Sequence, residues 1–424
     1  MTTIDDSVIS EGFCTATESI CDHVQLDPDI SQETIRISRK GTDRLRSGHP
    51  WIFRSDVLET GDAEPGSIVR VVDSSRKFLG QAHYSAASQI ALRMLDTSAA
   101  PIDIAARIAA AQQFREQVVT DSTAYRVVHA EADFLPALII DRYTDDRYKD
   151  ARSGDAFVVQ TLNQGMDRST PEIVAALNSL FSPSAIVARN DAAVRSLEDL
   201  PRETRLLAGD LAAPVHIRMN GFQMEADLLH GQKTGVFLDQ RENYLAAARY
   251  ATGNALDCFT STGGFALHLA RTCTHVEAVD SSTPALATAQ RNADANGISN
   301  IEFREADVFD LLSSYASARR TFDTIVLDPP AFAKSRNQID GALRGYKDIN
   351  LRALRLLPPG GILVTCSCSH HISEAMLLEI AADASLDARR TLRVLERRTQ
   401  AQDHPILLTV PETLYLKCLI LQVA

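Results

Sequence analysis

Two cysteines and two histidines crowd the stretch "GGILVTCSCSHH". Cys366 and Cys368 alternate with Ser367 and Ser369, and His370 and His371 follow directly. Residues of these types can bind a metal, form a redox pair, end a strand inertly, or set a thiol nucleophile beside a general base. Adjacent histidines with a C-x-C lack standard zinc spacing, so no metal is expected. A redox pair needs an oxidising partner that the chain does not display. The seven cysteines are odd in number and include no C-x-x-C pair. That argues against a disulfide framework and for free thiols in a reducing cytoplasm.

Carboxylates form the second constellation. "LDCFTSTGGFALHLA" reads as a strand, a turn bearing Gly263 and Gly264, and a helix. It is not G-x-G-x-x-G and has no Walker lysine, so neither NAD nor ATP is the first choice. Asp257 sits at the strand-to-turn junction, where a carboxylate suits a cationic ligand such as an amino group. Asp280 ends "VEAVD", the usual place for a group that grips ribose hydroxyls. Asp307 in "READV" and Asp328 in "VLDPPAF" end the third and fourth strands. Each alone reads as a helix cap or turn residue. Four in register converge on the crevice where open α/β sheets bind ligands. S-adenosylmethionine fits, because it offers a ribose, an adenine amine and an α-amino group to carboxylates.

The elements that must position these groups follow from periodicity. From about residue 215, apolar runs alternate with helix-like segments: "NALDCF", "FALHLAR", "HVEAVD", "TPALATAQRNADANG", "IEFREAD", "FDTIVLDPP" and "GGILVTCS". That alternation implies βαβ units and a buried parallel sheet. "LRVLERR" and "LYLKCLILQV" supply further strands. Residues 35–100 hold short alternating runs ("IRIS", "SIVRVVD", "FLGQAHY", "IALRML") punctuated by glycines, a small β-rich module. A helix is expected over 102–119, strands at "LPALIIDRY" and "AFVVQTL", and a helix at "TPEIVAALNSLF".

The charge of −12 is unevenly spread. Residues 1–34 carry eight acids and no Lys or Arg, and read as a disordered acidic tail. The following "IRISRKGTDRLRSGHPWIFR" carries Arg36, Arg39, Lys40, Arg44, Arg46 and Arg54 against Asp43 alone, with Trp51 and Phe53 interleaved. Such a cluster can neutralise phosphates and stack a base, although a solvated surface has the same composition. No apolar run is long enough to span a bilayer, and the first residues do not read as a signal peptide.

Taken together, "HGQKTGVFLDQRENY", "DCFTSTGGF", "VDSS", "LDPPAFAKS", "RGYKDIN" and "TCSCSHH" resemble the RlmI-like class I methyltransferases. That family methylates carbon 5 of a cytosine in 23S ribosomal RNA with S-adenosylmethionine. "RKGTDRLRSGHPWIFRSDV" is similar to the start of its PUA RNA-binding module, and "DFLPALIIDRY" to its middle domain. The fold class implied is α/β: a C-terminal Rossmann-like methyltransferase domain (215–424) after an acidic tail (1–34), a PUA-like domain (35–104) and a middle α/β domain (105–214). The resemblance makes Cys368, in the S-C-S motif, the nucleophile and Asp328 its catalytic partner. It implies a cofactor site of Asp257, Phe259, Thr260, Thr262, Gly263, Gly264, Asp280, Ser281 and Asp307. Lys233, Gln240 and Arg241 become donors able to reach the cofactor carboxylate or a phosphate. Arg36, Arg39, Lys40, Arg44 and Trp51 become RNA contacts. The partner implied is 23S rRNA or a large-subunit assembly intermediate, in the cytoplasm, with a homodimer as a possible arrangement.

Two departures stand out. Ser261 replaces an aromatic residue of the family's F-S-Y-T-G-G-F, and the loop around 144–154 is longer than usual. Cytosine carbon 5 is a poor nucleophile, and a thiolate adding to carbon 6 makes it enamine-like. Two-cysteine RNA methyltransferases keep a second cysteine in the D-P-P loop. None stands there, so the base that removes the carbon-5 proton is unassigned. Two rivals remain. D-P-P-aromatic also marks enzymes that methylate exocyclic amines, where Phe332 would stack on the base and Cys368 would be incidental. A non-catalytic RNA-binding or ribosome-assembly protein is the other.

Overall fold

The computed structural model describes residues 33–148, 154–231, 234–333 and 336–424. The acidic-tail reading up to residue 32, part of the long loop and Lys233 therefore lie outside the described residues. Strands β1 (Thr34–Ile37), β2 (Trp51–Phe53), β3 (Val57–Glu59), β4 (Ile68–Val72), β5 (Phe78–Tyr84) and β6 (Ile90–Asp96) form one sheet in the order β2-β6-β5-β4-β1-β3. The four alternating runs of the sequence all fall on strands. "RKGTDRLR" is instead a helix, α1 (Arg39–Arg46), because Ser38 caps it by accepting the Gly41 N–H at 3.2 Å.

Helix α2 (Ile104–Val118) leads to a second sheet of β7 (Ala124–His129), β8 (Leu138–Thr144), β9 (Asp155–Thr161), β10 (Ala185–Asn190) and β11 (Glu203–Gly209), with α3 (Gln164–Arg168) and α4 (Thr170–Phe181) between β9 and β10. A hairpin follows, β12 (Val215–Met219) and β13 (Phe222–Ala226), closed by Asn220-Gly221 with both residues at positive φ. Thr123 and Arg218 exchange hydrogen bonds on its β12 side. On its β13 side, Asn292 and Asn296 accept the N–H groups of Glu225 and Gln223. The hairpin thus joins the middle sheet to the C-terminal domain. One apolar core runs through all three, from Tyr143 and Val158 through Ile217 and Phe222 to Phe265 and Leu267.

The last sheet contains β14 (Asn254–Cys258), β15 (His275–Asp280), β16 (Ile301–Glu305), β17 (Thr324–Leu327), β18 (Ile362–Ser367), β19 (Leu392–Arg398) and β20 (Lys417–Val423), in the order β16-β15-β14-β17-β18-β20-β19. The first five are parallel, and β20 runs antiparallel between β18 and β19. β17 and β18 are buried at every residue, as expected for strands covered on both faces. The covering helices are α5 (Arg241–Tyr250), α6 (Gly264–Leu269), α7 (Thr283–Ala295), α8 (Val308–Ser317), α9 (Ile339–Leu356) and α10 (Glu374–Asp387).

Asp403, fully buried, fastens the middle sheet to the C-terminal domain. Its carboxylate accepts the Arg126 N–H of β7 at 2.9 Å and pairs with Arg241 of α5 at 3.1 Å, while its carbonyl accepts from Arg115 of α2 at 2.9 Å. Burial alone would raise its pKa, but His404, Arg241 and the Arg126 amide hold it well below the usual carboxylate range. A group depressed in this way stabilises the fold above its unfolded pKa and loses that contribution as pH falls through the folded value. Asp403→Ala should therefore cost about 3–5 kcal/mol, because it strands buried Arg241. Urea unfolding at pH 7 should show that loss, and unfolding at acid pH should show it shrinking.

Candidate active site

The loop after β14 turns three times through the left-handed region, at Phe259 (φ +65°), Ser261 (φ +49°) and Gly263 (φ +88°). For an aromatic residue that conformation is strained, and such strain gathers at functional sites. Gly264 is required for packing: a Cβ there would lie 2.4 Å from the Tyr244 ring. The loop is pinned by Thr260 N–H to Val279 O at 2.9 Å and by Asn292 Nδ2 to Thr262 O at 3.0 Å.

Asp257, next to last in β14, is completely buried. One carboxylate oxygen accepts from Thr260 Oγ1 at 2.6 Å, and the other, Oδ1, has no hydrogen-bond partner among the described residues. Burial pushes its pKa up to about 7, with Asp328 and Asp280 nearby adding to the shift and the Thr260 hydrogen bond opposing it. An orphaned buried acceptor among carboxylates is suited to a cationic ligand. The Ser261 hydroxyl is likewise buried without a partner among the described residues, where the resembling family carries an aromatic ring. Asp280 is fixed by the N–H groups of Ser261 and Ser282, each at 2.9 Å, and Ser281 beside it is exposed. Asp307 is exposed and caps α8 through the Asp310 N–H. The residues present thus fit S-adenosylmethionine: Asp257, Ser261 and Asp280 could hold its polar groups around the glycine turn.

Gln240 and Arg241 are buried. Gln240 Nε2 donates to Asp328 Oδ1 at 3.0 Å and Oε1 accepts from Asn243 at 2.7 Å, so it orients Asp328. Arg241 is committed to Asp403.

The two neighbouring cysteines have different surroundings. Cys366 lies within β18, fully buried, in register with Cys418 of β20, and burial pushes its thiol far up. Cys368 lies one residue past the strand end and is half-buried. Ser367 donates to the Tyr346 hydroxyl at 3.0 Å, Tyr346 lies 3.1 Å from Ser369 Oγ, and the Ala333 N–H reaches Ser369 Oγ at 3.4 Å. Tyr346 of α9 therefore ties the D-P-P loop to both serines of S-C-S. Phe332 packs on the Tyr346 ring at 4.6 Å and the Phe309 ring at 6.0 Å. Lys417 Nζ donates to Ser369 O at 2.7 Å. Neither Tyr346 nor Lys417 was singled out by sequence. The available signals were the tyrosine in "RGYKDIN" and one lysine inside the apolar run "LYLKCLILQV".

A cleft of about 810 Å³ opens beside His370 and His371, and Trp51, Arg126, His129, Asp239 and Tyr415 also line it. Trp51 donates to Glu131 at 2.8 Å with Arg93 over its ring, and Arg126 is paired with Asp141. Arg39 and Lys40 are exposed on α1, whereas Arg36 pairs with Glu59, and Arg44 with Asp56 at 2.6 Å and over the Phe53 ring. Among the described residues no group of His, Cys, Asp or Glu is arranged to hold a metal, and no helix is long and apolar enough to cross a membrane.

This strand order and site define a class I methyltransferase that uses S-adenosylmethionine. A family model for a PUA-like domain matches residues 35–97, and one for a methyltransferase domain matches 251–407. The chain is 42% identical over 405 residues to a ribosomal RNA large subunit methyltransferase I of Shewanella denitrificans, covering 92% of this chain and 99% of that one. It is 40% identical over 396 residues to the protein of the same name in Pseudoalteromonas translucida, covering 90% and 98%. A solved Streptococcus mutans structure assigned as a SAM-dependent methyltransferase superposes with a TM-score of 0.75 at 19% identity, covering 92% of this chain and all of that one. The chain belongs to the ribosomal RNA large subunit methyltransferase I family.

Calorimetry across pH 6 to 8.5 tests Asp257. Its ionised form attracts the cationic cofactor, so affinity should rise as pH passes through about 7 and then level off. Asp257→Asn should flatten that dependence and weaken binding by roughly 1–3 kcal/mol.

Proposed function

We propose that the protein transfers a methyl group from S-adenosylmethionine to carbon 5 of a cytosine in 23S rRNA, with Cys368 as the covalent nucleophile. The observation that carries this reading is the contrast between the two thiols. Cys366 is sealed in the core against Cys418, while Cys368 stands past the strand end, where Tyr346 joins its flanking serines to the D-P-P loop.

In this reading the Cys368 thiolate adds to carbon 6, and the electron pair of the 5,6 double bond passes to carbon 5. Carbon 5 attacks the cofactor methyl, releasing the neutral thioether. A base then takes the carbon-5 proton and the thiolate departs. Asp328, oriented by Gln240, hydrogen-bonds the ring nitrogen or exocyclic amine and stabilises the adduct. Asp257, Phe259, Thr260, Thr262, Gly263, Gly264, Asp280, Ser281 and Asp307 frame the cofactor. Gln240 and Arg241 support that frame from the α5 side through Asp328 and Asp403. On the PUA-like module, exposed Arg39 and Lys40 are the phosphate contacts. Arg36, Arg44 and Trp51 shape the surface beside them through their internal partners. The relatives' name points to large-subunit ribosomal RNA, and in this reading the substrate is that RNA in the cytoplasm, either mature or as an assembly intermediate.

The rival amine chemistry would use Phe332, half-buried against the Tyr346 and Phe309 rings, as a stacking platform. Substrate RNA carrying 5-fluorocytosine separates the two. Fluorine cannot leave as a cation, so a carbon-5 enzyme should be trapped as a covalent adduct that survives denaturation. Cys368→Ala should lose both adduct and turnover, and Cys366→Ala should keep both. Turnover by Cys368→Ala without an adduct would mean amine methylation.

A further inference from the structure

Lys417 is the first residue of β20, in register opposite Ser367, and is only 2% exposed. Its Nζ donates to the carbonyls of Ser369 at 2.7 Å and Tyr415 at 2.8 Å. The side chain therefore starts level with the residue before Cys368 and ends on the residue after it. Burying an ammonium costs several kcal/mol unless a negative charge answers it. Among the described residues no carboxylate pairs with Lys417.

We propose that Lys417 holds Cys368 ionised: the two form a buried ammonium–thiolate pair at the end of β18, making Lys417 a positioning residue for the nucleophile. The proton leaves Sγ for solvent, and Lys417 keeps its own. The surrounding groups are compatible with this assignment. Burial brings Lys417 down to about 8 and the Cys368 charge is what opposes that fall, so the ammonium persists at neutral pH. Tyr346, facing from α9, is raised by burial and stays a neutral phenol. His370, lowered by burial and by Lys417, stays a neutral imidazole, and His371 follows it in the same loop. The Asp328 carboxylate acts on Cys366 and does not figure among the charges on Lys417. A thiol beside a lysine ammonium, with no carboxylate claiming that charge, is stabilised as thiolate.

This inference rests on Cys368 being the nucleophile, and its test is read without turnover. Full-length protein is alkylated with iodoacetamide across pH 5.5 to 9.5, and modification of Cys368 is followed by peptide mass spectrometry. Wild type should alkylate with a midpoint below that of a free thiol, about 8.5. Lys417→Met should move the midpoint up by about one pH and cut the rate at pH 6.5 about tenfold, since the thiolate fraction there falls in proportion. Lys417→Arg should restore most of the rate. An unchanged midpoint in Lys417→Met overturns the proposal. If that variant does not fold, the 240 nm thiolate absorbance of wild type minus Cys368→Ser decides, and titration at or above about 8.5 overturns it equally. A 5-fluorocytosine adduct with an unchanged midpoint leaves the nucleophile reading standing without the pair. A raised midpoint in Lys417→Met with no adduct leaves the pair standing without the reading.

Discussion

Parallel pairing ends consecutive strands on the same edge of a sheet, and the candidate site depends on that constraint. Asp257, Asp280, Asp307, Asp328 and Cys368 come from five separate strand ends spread over more than a hundred residues of chain. No local feature of sequence could bring them together. The βαβ crossovers do so, because each strand must start again from the opposite edge. The one reversed strand beside them, β20, breaks the pattern usefully. Its first residue, not its last, lies at the chemical edge, and so Lys417 arrives beside Cys368.

Burial tunes these groups in opposite senses. Asp257 and Cys366 are driven toward their neutral forms, and Asp403, with arginines and a histidine around it, is held charged. Dry surroundings alone would neutralise them all, so the difference lies in the company each keeps. The C-x-C motif shows this within three residues. The strand holds Cys366 in the core, and one step beyond its end a second cysteine meets a lysine.

Much of this was legible in the sequence, for a physical reason. Strands buried on both faces must be largely apolar, so "HVEAVD" coincides with β15 residue for residue and β20 falls inside "LYLKCLILQV". The carboxylates at the strand ends were legible too, as was the methyltransferase family. Less legible were elements whose polar residues are buried by pairing. β7 reads "AYRVVH", with Arg126 neutralised by Asp141, and no periodicity announces a strand there. α1 was hidden because a serine cap outweighed the β-rich text around it. Partners distant in sequence were invisible for the same reason. Arg36 and Arg44 looked available for phosphate until Glu59 and Asp56 appeared beside them, and Gln240 and Arg241 looked like donors for the cofactor carboxylate or a phosphate until Asp328 and Asp403 did. Composition counts charges and is silent about which are already spent.

The seam closed by Asp403 has a mechanical consequence. A joint of interlocked buried ions cannot open as a hinge without exposing several charges at once, which costs more than a few phosphate contacts return. The middle sheet and the methyltransferase domain must therefore meet their substrate as a rigid jig. A base stacked in folded RNA can reach a fixed thiol only if it swings out of its stack. If Cys368 is the nucleophile, the distortion falls on the nucleic acid, and substrates whose target nucleotide is already loosely held should be accepted most readily.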